Sequence, residues 1–479
     1  MYSLKKCKNI INILILIIYS FNSKEIEQNN LINEFTGIYI STNDKNDISN
    51  KIFDLSSLNI SDIDYQLYIN ETIQTNSSNN FPFKKDILYN VRVIFNKLLN
   101  TTNNMFNDCI SLKYLNLSLF DTSQVTNMNK MFSGCSSLIS IDLKNLNTEK
   151  VITMDDMFYY CESLLYLDLS SFNTINVISM ENMFGGCISL TSLDISYFNT
   201  KNVKSMAWLF SSCKSLTSLN LLYFNTRQVT TMQSMFSNCY SLIQIDLSSF
   251  YTDNVENMES MFNECSSLIL LNLRNFNTRN VINMNSMFSN CGSLINIDLS
   301  MFNTEKVKTM ANMFSNCNSL KSIDLSSFNT KQVRYLSNMF YNCISLDSID
   351  LSSFNTGRVV NTGNMFNNCV SLKEINLSSF NSNSLEYSYN MFYNCLSLTS
   401  IDLRYFKFNN IINMESMFYQ CKEMSYLLLD NCELKDGSNL NSAFLGLNKN
   451  GILKVPKDKC NKIINEFLSS NINWNVEYF

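Results

Sequence analysis

The side chains able to do chemistry in this chain stand in columns. Thirteen cysteines, Cys109, Cys135, Cys161, Cys187, Cys213, Cys239, Cys265, Cys291, Cys317, Cys343, Cys369, Cys395 and Cys421, follow one another at intervals of 26 residues. Eight aspartates, Asp142, Asp168, Asp194, Asp246, Asp298, Asp324, Asp350 and Asp402, keep that interval or twice it, and Asn116, Asn220, Asn272 and Asn376 hold the remaining places. A row of thiols invites disulfide formation, and a row of carboxylates invites cation binding or acid–base work. The inventory is narrow beyond that. With no His in 479 residues, His triads, His bases and most catalytic zinc sites are excluded. There is no Gly-rich phosphate loop, and no cofactor is implied.

These columns need elements to hold them. Leu190 to Phe198 alternates, putting Leu193 and Ile195 on one side and Asp194 on the other, which is strand periodicity. In the second half of the unit Val125, Met128, Met131, Phe132 and Cys135 recur at threes and fours. That spacing predicts a short helix. The connecting Asn-Thr, as in Asn173-Thr174 and Asn303-Thr304, suits a turn whose Thr accepts a bond from the amides opening the helix. Equal units without insertion predict stacked parallel strands, with the apolar columns inside.

The pattern L-x-x-L-x-L-x-x-F of Leu112 to Phe120 resembles the leucine-rich repeat. With N-T-x-x-V-x-x-M-x-x-M-F-x-x-C after it, the unit is similar to the BspA-like surface-protein repeats, across about two-thirds of the chain from Ser111 to Cys421. The resemblance implies an α/β leucine-rich-repeat solenoid, with a parallel sheet on the concave side, short helices on the convex side, and N- and C-terminal caps. It also implies adhesion to host proteins, matrix or other cells. Five copies depart from the pattern in the interior: Leu146 replaces the Phe, Leu209 and Leu336 replace Met, and Thr362 and Ser388 put hydroxyls into a Met column. The last two are expected to mark the softest rungs.

The expected order along the chain is a signal peptide over 1–23, an N-terminal flank and cap over 24–100, the solenoid over 101–422, and a degenerate repeat with C-terminal cap over 423–479. Lys5, Lys6 and Lys8 before the apolar Ile10–Ile18 run read as a secretory leader. Its removal leaves 33 basic residues against 41 acidic ones, a net charge of −8. That sign excludes a nucleic-acid groove. No later stretch is long and apolar enough to anchor the chain in a membrane. Sequons at Asn59, Asn70, Asn76 and Asn100 are possible glycosylation sites in the flank. The thirteen ladder thiols, placed at helix ends about 8–10 Å apart, are expected to be too distant to join and to act as small apolar groups. Cys432 and Cys460 are the pair to test for a bond.

Two surface rows remain. Aspartates stacked about 4.8 Å apart repel by about 3–4 kcal/mol at an effective dielectric of 20 and by under about 1 kcal/mol in water, so they must be exposed or shared. Either they face a partner from the concave sheet, or they bond neighbouring Ser and backbone and keep the sheet soluble. Lys150, Lys201, Arg227, Arg279, Lys306, Lys331 and Arg358 form a basic row at the turn, either a solvated rim or a contact for anionic glycans or lipid. The expectation is a secreted or cell-surface, non-enzymatic protein that binds protein or glycan ligands of host, matrix or neighbouring cells through its sheet. A self-associating coat protein is the alternative, and a carboxylate-based glycosidase a distant one.

Overall fold

Alternation in Leu112-Lys-Tyr-Leu115-Asn-Leu117 gives the first rung its strand, and each later rung lays an equivalent segment parallel to it. The structure is a computed structural model describing residues 33–41, 51–58, 60, 64–74, 80–448, 450–457, 459–470 and 473–479. The leader expected over 1–23 and the sequons at Asn59 and Asn76 lie outside these residues. Before the stack come β1 (Asn33–Ile40), β2 (Tyr65–Ile69), β3 (Thr72–Ile73) and β4 (Leu88–Phe95). The stack contributes β5 (Leu112–Asn116), β6 (Ser140–Asp142), β7 (Gln244–Ile245), β8 (Leu270–Leu271), β9 (Ser348–Asp350), β10 (Glu374–Asn376) and β11 (Ser400–Lys407). After it come β12 (Tyr426–Asn431), β13 (Ile452–Val455), helix α1 (Asn461–Ser470) and β14 (Asn475–Tyr478).

Pairs β5·β6, β7·β8, β9·β10 and β11·β12 are parallel with equivalent residues opposite, as in Leu115 with Ile141 and Ile349 with Ile375. A second ladder crosses the other side of every rung. Parallel bridges run from Thr101 through Asn127, Thr153 and Ser179 to Asn439, linking fourteen turns of chain in one register. The molecule is a leucine-rich-repeat-like parallel solenoid.

The expected short helices do not form. In their place each rung makes two successive β-turns. Met131 N–H bonds Met128 O at 3.2 Å and Cys135 N–H bonds Phe132 O at 3.1 Å, while the intervening amides of Lys130, Phe132 and Gly134 reach along the stack to Asp155, Met157 and Tyr159. The third residue of each turn has a left-handed backbone. Lys130 (φ 55°) and Gly134 (φ 72°) are followed rung by rung by Asp156 and Tyr160, Asn182 and Gly186, and onward to Asn390 and Asn394. A helix would direct all these amides within the segment, leaving none to join rungs, and it excludes positive φ. Tandem turns repeat every four residues, so they share the three-and-four spacing that reads as a helix.

Inside, Val, both Met, Phe and Cys of the second half and the Leu and Phe of the first are buried in rung after rung. Phe106, Phe132, Phe158 and Phe184 begin a file of rings stacked 5.3–5.9 Å apart, within the range of favourable offset stacking. The Thr of Asn-Thr serves this file differently from the expected cap. Thr148 Oγ1 donates to Asn173 O at 3.0 Å and accepts the Asn173 N–H at 2.7 Å, so the buried hydroxyl ties two rungs together. Thr362 and Ser388 are also buried, with only sulfur or long contacts: Thr362 Oγ1 lies 3.5 Å from Met391 Sδ and 3.4 Å from Tyr387 O, and Ser388 Oγ lies 3.9 Å from Met417 Sδ.

Each end of the stack is covered. At the N-terminal side β1 runs antiparallel to β5 and to β4, and Phe35 on β1 enters the core against Phe53, Phe95, Phe106 and Phe120. At the C-terminal side β12, β13 and β14 pair in parallel. Helix α1 sets Phe467 against Phe444 and Trp474. Trp474 is buried and its Nε1 donates to Asn448 O at 2.8 Å, whereas Phe479 is exposed.

Candidate binding face

The strand ladder presents one face to solvent, and the aspartate column lies on it. Asp142 is half-buried and Asp168, Asp194, Asp246, Asp298, Asp324, Asp350 and Asp402 are exposed. Each accepts the backbone N–H two residues on: Lys144 at 3.1 Å for Asp142, Ser170 at 3.0 Å for Asp168, Ser248 at 2.9 Å for Asp246 and Ser352 at 2.8 Å for Asp350. Asp194, Asp298, Asp324 and Asp402 do the same. Asn116, Asn220, Asn272 and Asn376 use their amide oxygen identically. The column thus closes a turn after every strand, a task Asp and Asn perform equally. Backbone and hydroxyl donors of Ser170, Ser248 and Ser326 hold the Asp168, Asp246 and Asp324 carboxyls below the usual range, and Ser196, through its hydroxyl first, does so for Asp194. For Asp298, Ser300 and the Arg274 side chain bring the value to about 2. These carboxylates are ionised at neutral pH.

Opposite charges are interspersed. Arg274 meets Asp298 at 3.1 Å, Arg404 meets Asp402 at 2.8 Å, and Lys373 meets Asp347 at 2.8 Å. Lys321, Asp347 and Lys373 with the serines around them border a shallow groove of about 540 Å³. The basic row at the turn makes contacts one rung away. Lys150 bonds Gln124, Lys306 bonds Asn280, Arg279 pairs with Asp253 at 3.5 Å, and the Arg227 guanidinium lies 3.7 Å from the centre of the Tyr251 ring.

Sequence reasoning passed over an apolar area on the same face. The two positions between the first strand leucines hold Ser, Thr, Lys or Gln in many rungs, but Leu165 and Tyr166, Ile243, Ile269 and Leu270, and Ile295 in others. All are exposed, Tyr166 by 67% and Leu270 by 61%. Ile243 and Ile269 stand on adjacent rungs joined by an Ile269 N–H to Ile243 O bond of 3.1 Å. Tyr197, Leu222, Tyr223 and Met301, in the turns that follow the equivalent segments of other rungs, are exposed as well. Apolar residues at positions the periodicity turns outward were the available signal.

The thiols stand on the other side, and their separation is not what keeps them free. Rungs joined by hydrogen bonds lie about 4.8 Å apart, closer than the spacing of packed helices. From Cys135 onward each buried thiol donates to a carbonyl 29 residues back, as Cys135 to Phe106 O at 3.0 Å, Cys265 to Phe236 O at 3.1 Å and Cys421 to Phe392 O at 3.0 Å, while Cys109 donates to Ile52 O at 3.2 Å. Burial pushes Cys187, Cys239, Cys317 and Cys369 up to about 12. Protonated, enclosed thiols are poor nucleophiles. Cys432 and Cys460 form a disulfide with Cα atoms 5.1 Å apart. In the flank, Asn70 and Asn100 are exposed, and Asn70 Oδ1 accepts the Asn90 N–H.

A family profile described as "Mycoplasma protein of unknown function, DUF285" matches residues 78–192, 160–270, 186–294, 265–349 and 320–432. The chain belongs to the DUF285 family. The matches to DUF285 together run from residue 78, before β4, to residue 432, just past β12. No curated protein matches this DUF285 chain. Among solved structures it is similar to the functional domain of InlJ from Listeria monocytogenes, described as including a cysteine ladder, at 13% identity and a TM-score of 0.20, covering 75% of this chain and 72% of that one. It is also similar to the TLR13–ssRNA13 complex, at 14% identity and a TM-score of 0.18, covering 76% and 70%. Among the described residues no helix is long and apolar enough to cross a membrane.

Proposed function

We propose that this chain is a BspA-like, secreted or cell-surface solenoid that binds macromolecules, proteins foremost, through its strand face. The observation carrying this reading is the exposed apolar area from Tyr166 to Met301 on an otherwise polar sheet. Large apolar residues exposed on one face, here on either side of the aspartate column, are costly to leave in water and mark contact surfaces. Ionised aspartates run through and beyond it as a charged border suited to a partner's cationic groups. All eight carboxylates serve the same bond to the amide two residues on, which supports a repeated binding surface rather than the acid and nucleophile pair that glycoside hydrolysis needs, so the reading is binding without covalent chemistry. The apolar run Ile10–Ile18 behind Lys5, Lys6 and Lys8, read as a leader, supports a place outside the cell, and mass spectrometry of the mature N-terminus tests that step.

The test of the face uses beads coated with the chain, presented to immobilised matrix proteins and to intact cells. Leu270→Ser with Tyr223→Ser should abolish attachment while the urea midpoint stays unchanged. Replacing Asp246 and Asp298 by Asn, which keeps the turn bond, should weaken attachment gradually and make it less salt-sensitive. Undiminished attachment by the Leu270/Tyr223 variant overturns the reading. Concentration-dependent light scattering that disappears in that variant would assign the same area to self-association.

A further inference from the structure

On the turn face, away from the sheet, three rungs depart together from the stack's regular surface. The left-handed positions elsewhere in the stack carry Asn, Ser, Gly, Asp, Glu, Gln or Lys, but here they carry Tyr160 (φ 55°) and Trp208 (φ 56°), the two aromatic residues with positive φ among the described residues. A bulky side chain in that region costs about 1–2 kcal/mol. The fold does not require it: the next three rungs place Ser234, Ser260 and Ser286 where Trp208 stands. Both aromatic residues line one cleft.

The rung between them carries Gly185 and Gly186, which make the cleft possible. A Cβ on Gly186 would lie 2.5 Å from Tyr160 Cδ1, and one on Gly185 would collide with Asn182 Oδ1 and press on Tyr159 Cδ2 at 3.1 Å, so the Tyr160 ring and the Asn182 amide lie in space that any other residue would occupy. Those rings are 4.1 Å apart, centre to centre, and tilted by 45°. Asn182, Ser211 and Ser212 complete a cavity of about 320 Å³. Its backbone is fixed by bonds along the stack, Tyr160 N–H to Gly185 O at 2.8 Å and Gly186 N–H to Ser211 O at 2.7 Å.

We propose that this cleft binds a neutral pyranose unit of a glycan, with the C–H face of the sugar against the Trp208 and Tyr160 rings and its hydroxyls bonded by Asn182, Ser211 and Ser212. Aromatic faces carry negative charge density that attracts polarised C–H groups. Amide and hydroxyl side chains each donate and accept, as sugar hydroxyls do. No lining residue is charged, which disfavours an ionic ligand, and three hydroxyl-matching groups would be wasted on a purely apolar one.

Tryptophan fluorescence reads the site directly, since the other indole, Trp474, is buried in the cap. The full chain is titrated with neutral tetrasaccharides of glucose, mannose, galactose and N-acetylglucosamine. At least one should give a saturable change. Trp208→Ser should remove that change and weaken binding by at least about tenfold in calorimetry. Because it installs a residue native to that column, it should leave the thermal midpoint unchanged or raised. Gly186→Asn, a residue native to that column, should also weaken binding by displacing the Tyr160 ring, and Leu270→Ser on the sheet face should not affect it. The proposal is overturned if no tetrasaccharide binds at millimolar concentration or if both cleft variants bind like wild type. It is also overturned if tetramethylammonium or a proline-rich peptide, but no sugar, occupies the cleft.

Discussion

Replacing Asn342 by Gly and by Ala distinguishes stacked turns from helices by the sign of one difference. Asn342 has φ 58°, its N–H donates to Asn367 O at 2.7 Å, and its Nδ2 donates to Asn316 Oδ1 at 2.9 Å. Either replacement loses the side-chain bond, at about 0.5–1.5 kcal/mol. Only Ala must also hold a Cβ in the left-handed region, at about 1–2 kcal/mol, partly offset by the greater unfolded-chain entropy of Gly, about 0.4–1 kcal/mol. The Gly variant should therefore be the more stable by about 1 kcal/mol. In a helix the order reverses, with Gly worse than Ala by about 1 kcal/mol. Urea unfolding of the full chain followed by circular dichroism gives the order from the two midpoints. Ala unfolding at higher urea than Gly would refute the turn geometry and everything built on its left-handed columns.

The ladder thiols should resist iodoacetamide at pH 8 in the folded chain and react together on unfolding. Their ordinary value is 9.0 and burial pushes several up to about 12. The stabilisation is therefore complete below pH 9 and is lost as pH rises toward 12, so the urea midpoint should fall steadily over that interval. Reduction should release two further alkylatable cysteines, and replacing Cys432 and Cys460 by Ser should weaken the C-terminal end by about 2–4 kcal/mol, seen as faster hydrogen exchange in β13 and β14 with the early rungs unchanged.

Much of the architecture could be read before any coordinates, because burial follows a column and a column survives in the sequence. Cysteine spacing set the register, and the alternation of each unit located the strand segments that pair at β5·β6 and β9·β10. The mistaken helix shows where periodicity is blind. Spacing reports which residues face the core, and tandem turns and a helix turn the same Met and Phe inward. The difference lay in the Asn, Gly and Ser residues at the third turn positions, legible as left-handed formers only when compared rung against rung. The aspartates were located correctly on the outer face, but their bond to the second amide onward depends on backbone direction after the strand. Neither Tyr160 nor Trp208 was legible as a pair, since they come together only once the rung between them is seen to lack side chains.

On the turn face every internal rung gives its neighbour the same bonds: Phe132 to Met157, Phe158 to Met183, Phe184 to Leu209. Excising 26 residues between two equivalent positions leaves each surviving turn-face amide a matching acceptor and both caps seated on familiar ground. The stack is thus modular in the sense that recombination can exploit, and its reach can lengthen or shorten in whole steps without a new folding problem arising. The three rungs from Tyr159 to Ser212 are the exception, because losing one of them would remove a wall or the floor of the cleft.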